Sequence, residues 1–392
     1  MIPGTAPVSW EEARRLAHAS VMPLPLEHLP LAQAGGRVLA KDVTALTDIP
    51  HYPSSAMDGW AIAGSGPWYL VDADPLIPGQ ARLIATGGLV PSGARSVLRR
   101  EQGRVDRGVL YLEKTADAEE TADGRHVRPA GEEALHGDRV AVAGHVLNPA
   151  RLALLAASGH DEVFVRRLPM VAIVITGGEL VDRGIPSPGQ VRDSFSPSLP
   201  PLVSGLGARV LSCRRVDDAR VDLLDAIDAA DCDVVVTTGG TGVSAADHIR
   251  AVVNELSGKL IVDRVAVRPG GPTLVARLGD GRLLVGLPGN PLAAFLAALS
   301  FLGPMVAGMT GRPLPALGTV RVSEPVNAKA GHTRLVPCRI SAVGSAEPLA
   351  WQGAAMMRGM ADADVVVICP PSGIRPHQEA SALLLPWRSC TP

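Results

Sequence analysis

The sequence predicts an α/β protein of several domains, with a doubly wound, mostly parallel sheet in its central part. From residue 168 onward, continuous apolar segments alternate with helical segments and glycine-rich loops. That alternation is typical of a parallel sheet with right-handed crossovers and helices on both faces. The 392 residues, of which 46% are hydrophobic and 19% charged, are also enough for about two to four domains with cores of their own.

The N-terminal part of the chain predicts short strands and few helices. Ser9 and Glu12 form a capping box at the start of an amphipathic helix that runs to about Ser20. Short Val and Leu runs, separated by Gly, Pro and Asp, predict β structure in 44–135. The other elements predicted here are a short helix after Leu24, a break at Gly35–Gly36, a strand over 37–43 and a helix over 149–158.

The central part predicts strands and helices in turn. In chain order they are a strand over 170–176, a helix over 198–205, a strand over 208–212, a helix over 220–230, a strand over 233–238 and a helix over 247–256. After residue 315 the pattern returns to short strands. The predicted domains are an N-terminal domain of 1–43 and 136–167, a β-rich domain of 44–135, the α/β domain of 168–316 and a small C-terminal β domain of 317–392.

The composition excludes several classes of partner. A net charge of −2 gives no field that would gather nucleic acid or an anionic membrane. Five cysteines without a Cys-x-x-Cys pair argue against a disulfide framework and structural zinc, and fit a reducing cytosol. The N-terminus lacks the features of a signal peptide, and no apolar run approaches the roughly 20 residues of a membrane span. We therefore expect a soluble cytoplasmic protein.

The segment 50–61 sets one carboxylate, Asp58, among small residues and turn formers. Pro50 and Pro53 make the segment extended or turning rather than helical. Gly59 lets the backbone approach a ligand closely. Asp58 is therefore either a functional carboxylate or the cap of its own Asp-Gly turn.

Two glycine-rich segments are suited to hold an anion. In 84–93, Thr86 offers a hydroxyl and exposed amides beside two glycines. The loop after the strand 233–238 presents bare N–H groups and a helix N-terminus. Its residues with this role are Gly239, Gly240, Thr241, Gly242 and Ser244. Each segment can also be a plain turn, and Asp247 can be the cap of the following helix.

Further acids and bases follow the strands of the α/β domain. Glu179 comes after the strand 170–176, at the edge of an open α/β sheet where ligands bind. Asp217, before the helix 220–230, is either a helix cap or an acid of the site. Arg264 and Arg268 are four residues apart on a run predicted to be extended, hence on one face, where they bind phosphate or face solvent. In 287–291, Pro288 and Asn290 shape the pocket floor, and Asn290 can cap the next helix.

These segments, in this order, resemble the molybdopterin molybdenumtransferase family, which includes MoeA and the E domain of gephyrin. Residues 55–61 are similar to the family's Ser-Ala-Met-Asp-Gly-Tyr-Ala, with Trp60 for Tyr. Residues 176–180 are similar to Thr-Gly-Asp-Glu-Leu, and 287–291 match Leu-Pro-Gly-Asn-Pro. Arg334 and Arg339 resemble the family's basic pair. The resemblance spans nearly the whole chain.

The resemblance implies an enzyme that inserts molybdate into adenylylated molybdopterin and releases AMP, with Mg²⁺ as cofactor. It implies catalytic roles for Asp58, Glu179, Asp217 and Asp247, of which Asp58, Glu179 and Asp247 are the metal ligands. The implied substrate-binding residues are Thr86, Gly239, Gly240, Thr241, Gly242, Ser244, Arg264, Arg268, Pro288, Asn290 and Arg334. It further implies an elongated N-terminal region, a molybdopterin-binding type of α/β domain and a homodimer, and leaves open other proteins of molybdenum cofactor biosynthesis as partners.

Four family positions have lost a polar group in this chain: Gly178, Phe195, Gly271 and Ala354. Gly271 stands where the family usually has a third lysine. The alternative is therefore a divergent paralogue that binds molybdopterin or cofactor without turnover, although the retained acids favour catalysis. A scaffold role like that of gephyrin has no support beyond the shared fold, and the missing Gly-x-Gly-x-x-Gly motif disfavours a dehydrogenase.

Overall fold

The computed structural model describes residues 6–117, 119–239 and 248–387. The chain forms two compact units: His28–Val165, which we call the β unit, and Met1–Glu27 together with Arg166–Pro392, which we call the α/β unit. The domain boundaries predicted from the sequence stay predictions.

Short strands dominate the first 166 residues. They are β1 (Leu26–Pro30), β2 (Val43–Thr44), β3 (Ser54–Ser55), β4 (Gly59–Ala63), β5 (Trp68–Leu70), β6 (Gln80–Ile84), β7 (Ser96–Arg99), β8 (Gly103–Asp106), β9 (Val109–Leu112), β10 (Val127–Arg128), β11 (Arg139–Ala141) and β12 (Glu162–Arg166). Six of them form one sheet in the order β7-β4-β6-β5-β9-β8, and the others pair as β1-β12, β10-β3 and β11-β2. The β structure predicted for 44–135 is present.

Strand β4 lies inside the sheet of the β unit and is buried on both faces. Trp60 and Ile62 pack into one apolar cluster, and Ala61 and Ala63 into another on the opposite side, as the period of two in a strand requires. Gly59 opens this strand, and a Cβ there would lie 1.9 Å from the carbonyl oxygen of Leu98. Only glycine fits, so the residue before it, Asp58, is held at a fixed point on the rim of the sheet.

The N-terminal elements agree with the sequence only in part. Helix α1 (Trp10–Ala19) has Ser9 as its N-cap, whose hydroxyl accepts a 3.2 Å hydrogen bond from the N–H of Glu12. Helix α2 (Pro149–Ala157) is also present as predicted. The short helix after Leu24 is a single 3-10 turn, Leu31–Gln33. The strand predicted over 37–43 is wrong, because Val38 and Leu39 make only isolated bridges, to Val146 and Val165.

The rest of the chain holds fourteen strands and six short α-helices among its described residues. The strands are β13 (Met170–Thr176), β14 (Leu180–Val181), β15 (Val191–Arg192), β16 (Arg209–Val216), β17 (Val234–Thr238), β18 (Lys259–Asp263), β19 (Val267–Arg268), β20 (Leu274–Arg277), β21 (Leu283–Leu287), β22 (Gly318–Val322), β23 (Thr333–Ile340), β24 (Ser345–Pro348), β25 (Val365–Cys369) and β26 (Glu379–Leu384). The helices are α3 (Leu199–Gly205), α4 (Arg220–Asp228), α5 (His248–Glu255), α6 (Pro291–Ala297), α7 (Gly303–Met309) and α8 (Arg358–Ala361).

The central sheet of the α/β unit has the order β16-β13-β17-β21-β20-β18. Its first four strands are parallel; at one edge β20 runs antiparallel to them, and β18, antiparallel to β20, runs in their direction again. Alternate residues of β13 and β17 pack into different apolar clusters, so both faces of the sheet are covered. The doubly wound, mostly parallel sheet predicted from the sequence is confirmed.

One long helical segment runs through the core of this unit. Residues 291–309 comprise α6 and α7, joined by a π-helical turn, Ala298–Leu302, and all of them after Pro291 are buried. Pro304, which has no N–H to give to the carbonyl of Ser300, follows this turn. The segment is long and apolar enough to cross a membrane, so the expectation that no apolar run approaches that length is wrong. Its burial within this unit is that of a core helix, and the indole of Trp10 donates to Ser300 Oγ at 2.9 Å.

The C-terminal strands close on themselves. The order β19-β23-β24-β22-β26-β25, with a further pairing of β23 to β25, makes a small barrel around its own apolar core. Strand β19 belongs to the chain that leaves the central sheet, and it pairs in parallel with β23. This pairing fixes Arg268 directly opposite Arg334.

Candidate functional site

A cavity of about 730 Å³ lies in the α/β unit beside the junction of β19 and β23. Five of the residues predicted to bind substrate line it: Arg264, Arg268, Pro288, Asn290 and Arg334. They come from three separate segments of the chain. The fold therefore brings together side chains that the sequence related only by motif.

Two arginines stand side by side in this cavity. Arg268 and Arg334 are direct partners in the parallel pairing of β19 with β23. Arg334 is held in place, since its Nη1 donates to the carbonyl of Asn327 at 2.7 Å and its Nη2 to Gln352 Oε1 at 2.8 Å. Two adjacent guanidinium groups repel one another unless an anion lies between them. Their geometry suits a phosphate that both can bind.

Arg264 also lines this cavity, but its backbone is not in the extended conformation that the sequence predicted. Its φ of 64° is left-handed, which is uncommon for a residue other than glycine. The prediction that Arg264 and Arg268 share one face of an extended run is therefore wrong, because the chain turns at Arg264 between β18 and β19. The N–H of Arg264 donates to the carbonyl of Thr273 at 3.2 Å, and its carbonyl accepts from the N–H of Val8.

Lys329 and His332 also line the cavity, and sequence reasoning did not find them. They lie on the loop before β23, where neither periodicity nor spacing marks them. Polar residues are common in surface loops, so the residue type did not mark these two positions either. None of the described residues that line the cavity is an Asp or a Glu. The cavity is therefore strongly cationic, which attracts and holds an anion.

The motif 287–291 places Asn290 at the wall of the cavity rather than in a capping bond. Asn290 is the N-cap residue of α6 and Pro291 is the first helical residue. The side chain of Asn290 makes no capping hydrogen bond, so the prediction that it caps the helix is wrong as far as the side chain goes. Its amide is instead part of the lining, together with Pro288.

The predicted acids of the α/β unit lie at the carboxyl edge of the central sheet. Thr176 and Val216 are register partners at the ends of β13 and β16, so Glu179 and Asp217 both follow strands that end at this edge. Both acids are exposed. The N-cap of α4 is Ala219, so the alternative of Asp217 as that helix's cap is wrong.

Gly239 is the first residue of the glycine loop, at the same edge. Its φ is 79°, and a Cβ there would lie 2.7 Å from Thr176 Oγ1, which itself donates to the carbonyl of Thr238 at 2.6 Å. Glycine is required at this position for both reasons. The other loop residues proposed for the site lie outside the described residues: Gly240, Thr241, Gly242, Ser244 and Asp247.

Asp58 and Thr86 belong to the β unit, where they bind one another. Asp58 Oδ1 accepts hydrogen bonds from the N–H of Thr86 at 2.7 Å and from Thr86 Oγ1 at 2.9 Å. These two bonds, with the charge of Arg100, hold the pKa of the Asp58 carboxyl below its usual range. Asp58 thus does not cap its own turn, and the alternative is wrong. The expectation that the Thr86 donors face an anionic ligand is corrected as well, because both are taken by Asp58.

The lost polar groups have different surroundings. Phe195 is buried in the main apolar core, so the ring that replaces an amide contributes to packing. Gly178 is exposed, and a Cβ there would meet nothing within 4 Å. Gly271 and Ala354 both line the cationic cavity. Arg339, the second member of the basic pair, is not among the lining residues.

Asp193, two residues before Phe195, is a buried acid that the sequence did not single out. Burial opposes its ionisation, but hydrogen bonds from the Ser196 hydroxyl and the N–H groups of Ser196 and Phe195 outweigh it and lower the pKa of Asp193. These bonds form a turn just before α3. The role of Asp193 is therefore to hold the chain that brings Phe195 into the core.

Comparison with known proteins gives consistent matches along the chain. Residues 8–159 match the family model described as MoeA N-terminal region (domain I and II), and residues 172–308 match the one described as probable molybdopterin binding domain. A molybdopterin molybdenumtransferase from a Nostoc species is 32% identical over 313 residues, which cover 73% of this chain and 70% of that protein. One from Staphylococcus aureus strain MRSA252 is 29% identical over 391 residues, 93% of this chain and 92% of that protein.

The solved structures give the same result for the fold. The crystal structure of a molybdopterin biosynthesis moea protein from Pyrococcus horikosii is similar with a TM-score of 0.75 and 25% identity. The match covers 97% of this chain and 99% of that one.

Proposed function

Because the chain belongs to the molybdopterin molybdenumtransferase family, whose members are transferases of molybdenum cofactor biosynthesis, we propose that it inserts molybdate into adenylylated molybdopterin and releases AMP. The observation that carries the proposal is the cationic cavity, with Arg268 and Arg334 in register. Adenylylated molybdopterin contains a pyrophosphate group. Paired guanidinium groups without acidic neighbours suit that anion.

In this proposal the arginines neutralise the phosphates, and the backbone fixes where they do so. Arg334 is oriented by Asn327 and Gln352, so its remaining N–H donors point to a defined position before substrate arrives. Such preorganisation lowers the cost of reaching the transition state, because the charges need not rearrange during the reaction. Pro288 and Asn290 form the wall against which the bound group rests.

We propose Asp58, Glu179 and Asp247 as the carboxylates for Mg²⁺, with Asp217 as a further acid of the reaction. No group of three or more His, Cys, Asp or Glu side chains that could hold a metal occurs within 6–117, 119–239 and 248–387. Mg²⁺ usually keeps several waters and takes one or two carboxylates together with substrate phosphates, so the exposed Glu179 at the sheet edge fits that donor set. When bound, the ion would supply positive charge to the phosphate oxygens.

The test is release of AMP by the purified protein given adenylylated molybdopterin, Mg²⁺ and molybdate. We expect stoichiometric AMP and a molybdenum cofactor that reconstitutes an apo-molybdoenzyme. Asp58→Asn is expected to abolish release with an unchanged thermal midpoint, since Asp58 is exposed and its loss leaves the core intact. Retention of full activity in Asp58→Asn would remove this carboxylate from the mechanism.

A divergent paralogue that binds molybdopterin or cofactor without turnover is the second candidate. The observation that favours it is the loss of side-chain polarity inside the cavity itself, at Gly271 and Ala354. Tight binding of adenylylated molybdopterin with no AMP released would establish this alternative.

We also propose that the protein is a cytoplasmic homodimer, as the resemblance implies. Sedimentation at micromolar concentration is expected to give twice the mass of one chain, 40.7 kDa. A single species of monomer mass would exclude a site that needs two copies.

A further inference from the structure

We infer that Lys329 is an anion-binding residue of the cationic cavity and supplies there the positive charge that position 271 lacks. The inference rests on the proposed function, in that it assigns Lys329 to the same pyrophosphate group. It does not require that the bound molecule be turned over.

The first argument is the position of the loop that carries Lys329. At its start, Val326 and Ile374 exchange backbone hydrogen bonds of 3.0 and 2.8 Å. At its end, the N–H of Thr333 donates to the carbonyl of Ala266 at 2.9 Å. In between, His332 N–H donates to the carbonyl of Lys329 at 3.0 Å and closes a turn. The loop is therefore anchored at both ends, and Lys329 is held at the cavity.

The second argument is charge. Lys329 is one of only four lysines in the chain, with Lys41, Lys114 and Lys259. Its side chain is exposed and forms no ion pair with an acid in the part of the chain that the structure describes. An ammonium group in the same lining as Arg268 and Arg334, which contains no acid among its described residues, adds to the positive potential that favours a bound anion.

The third argument is that position 271 can carry a side chain, so that the positive charge removed at Lys329 can be restored at another point of the lining. Gly271 lines the same cavity, and its φ is not in the left-handed region. A Cβ at this position would meet the carbonyl oxygens of Val265 and Val267 at 3.4 Å each, which is ordinary van der Waals contact. The backbone therefore accepts a side chain at 271, and a lysine there would add a positive charge to the lining that also contains Lys329.

The experiment is titration calorimetry with inorganic pyrophosphate as the probe, in low salt. Lys329→Ala is expected to weaken binding about fivefold, the effect of one exposed charge pair, while Lys329→Arg retains it. Lys259→Ala is the matched control, because Lys259 is an exposed lysine of the same unit that does not line the cavity. The difference between Lys329→Ala and the wild type should shrink as salt is raised.

The decisive variant is Gly271→Lys in the Lys329→Ala background, which is expected to recover the lost affinity. Wild-type pyrophosphate affinity in Lys329→Ala, or no recovery in the double variant, would overturn the inference. Failure of the proposed function looks different: pyrophosphate binding that depends on Lys329, with no AMP released from the true substrate, would leave this site standing and remove the transfer reaction.

Discussion

The buried charges of the β unit and the exposed charges of the cavity are organised in opposite ways. Glu120 has a fully buried side chain and is paired with a base: Arg99 Nε and Nη2 both donate to it at 2.9 Å, and His126 Nε2 lies 3.3 Å from its Oε1. In the cavity, Arg268, Lys329 and Arg334 gather without any acid among the described lining residues. The charges that stabilise the fold are paired with opposite charges, whereas the charges proposed to bind a ligand have no acidic partner among the described lining residues.

The largest expected effect is on the unpaired side of this comparison. The double variant Arg268→Gln, Arg334→Gln is expected to lower kcat/KM for AMP release about a thousandfold, since each charged hydrogen bond contributes about 1.5–3 kcal/mol. The control is Arg339→Gln, on the same strand as Arg334 but 3.6 Å from Asp362 and outside the cavity lining. Equal losses in both variants would mean that the cavity arginines have no special role.

On the paired side, Glu120→Gln is expected to lower the free energy of unfolding by about 3 kcal/mol, because the partly buried Arg99 guanidinium keeps only the exposed Glu101, 3.8 Å away, as a counter-charge. Asp123→Asn is the matched control. It breaks the 2.5 Å pair of Arg95 with Asp123, whose side chains are 60% and 65% exposed, and should cost less than about 1 kcal/mol. Chemical denaturation measures the free energy of unfolding of both variants, and similar losses in the two would contradict a stabilising role for the Glu120 pair.

The same carboxylate predicts how stability changes in acid. Burial opposes ionisation of Glu120, yet the hydrogen bonds from Arg99 and the neighbouring His126 lower its pKa from 4.5 to about 2. A depressed pKa gives stability that is complete above the unfolded pKa and is lost as pH falls through the folded one. The wild type should therefore lose more stability than Glu120→Gln between about pH 4.5 and pH 2, by up to about 3 kcal/mol. Parallel denaturation curves over this range would refute the assignment.

The smallest expected effect is at Gly178, which lies with Glu179 beyond the end of β13. Gly178→Asp has open space around its Cβ and no left-handed φ, so the free energy of unfolding should change by less than about 1 kcal/mol. If the missing carboxylate limits turnover, AMP release should rise a few-fold. A fall in AMP release, with an unchanged thermal midpoint, would show that the pocket has adapted to its absence.

How far the sequence reaches depends on the range of the interactions involved. Strands β13 and β17 and the cap of α1 were predicted closely, since apolar runs and capping boxes are local signals. The strand over 37–43 failed because its apolar residues pair only singly, with Val146 and Val165 more than 100 positions away. The Asp58–Thr86 bond and the place of Lys329 in the cavity depend on contacts that no local pattern encodes. Motif resemblance found Arg268 and Arg334, but the register that makes them neighbours appears only in the fold.

The pairing of β19 with β23 has a consequence for folding itself. Arg268 is on the chain that leaves the central sheet, and Arg334 is on β23 of the closed C-terminal barrel. An anion held by both is bound only when the two parts are joined in register, since a slip of one residue would turn either side chain to the other face. By mass action such a ligand shifts the population toward the joined state, in proportion to the logarithm of its concentration. Bound substrate would then also stabilise the joined state, and the melting temperature of the barrel would rise with the substrate concentration.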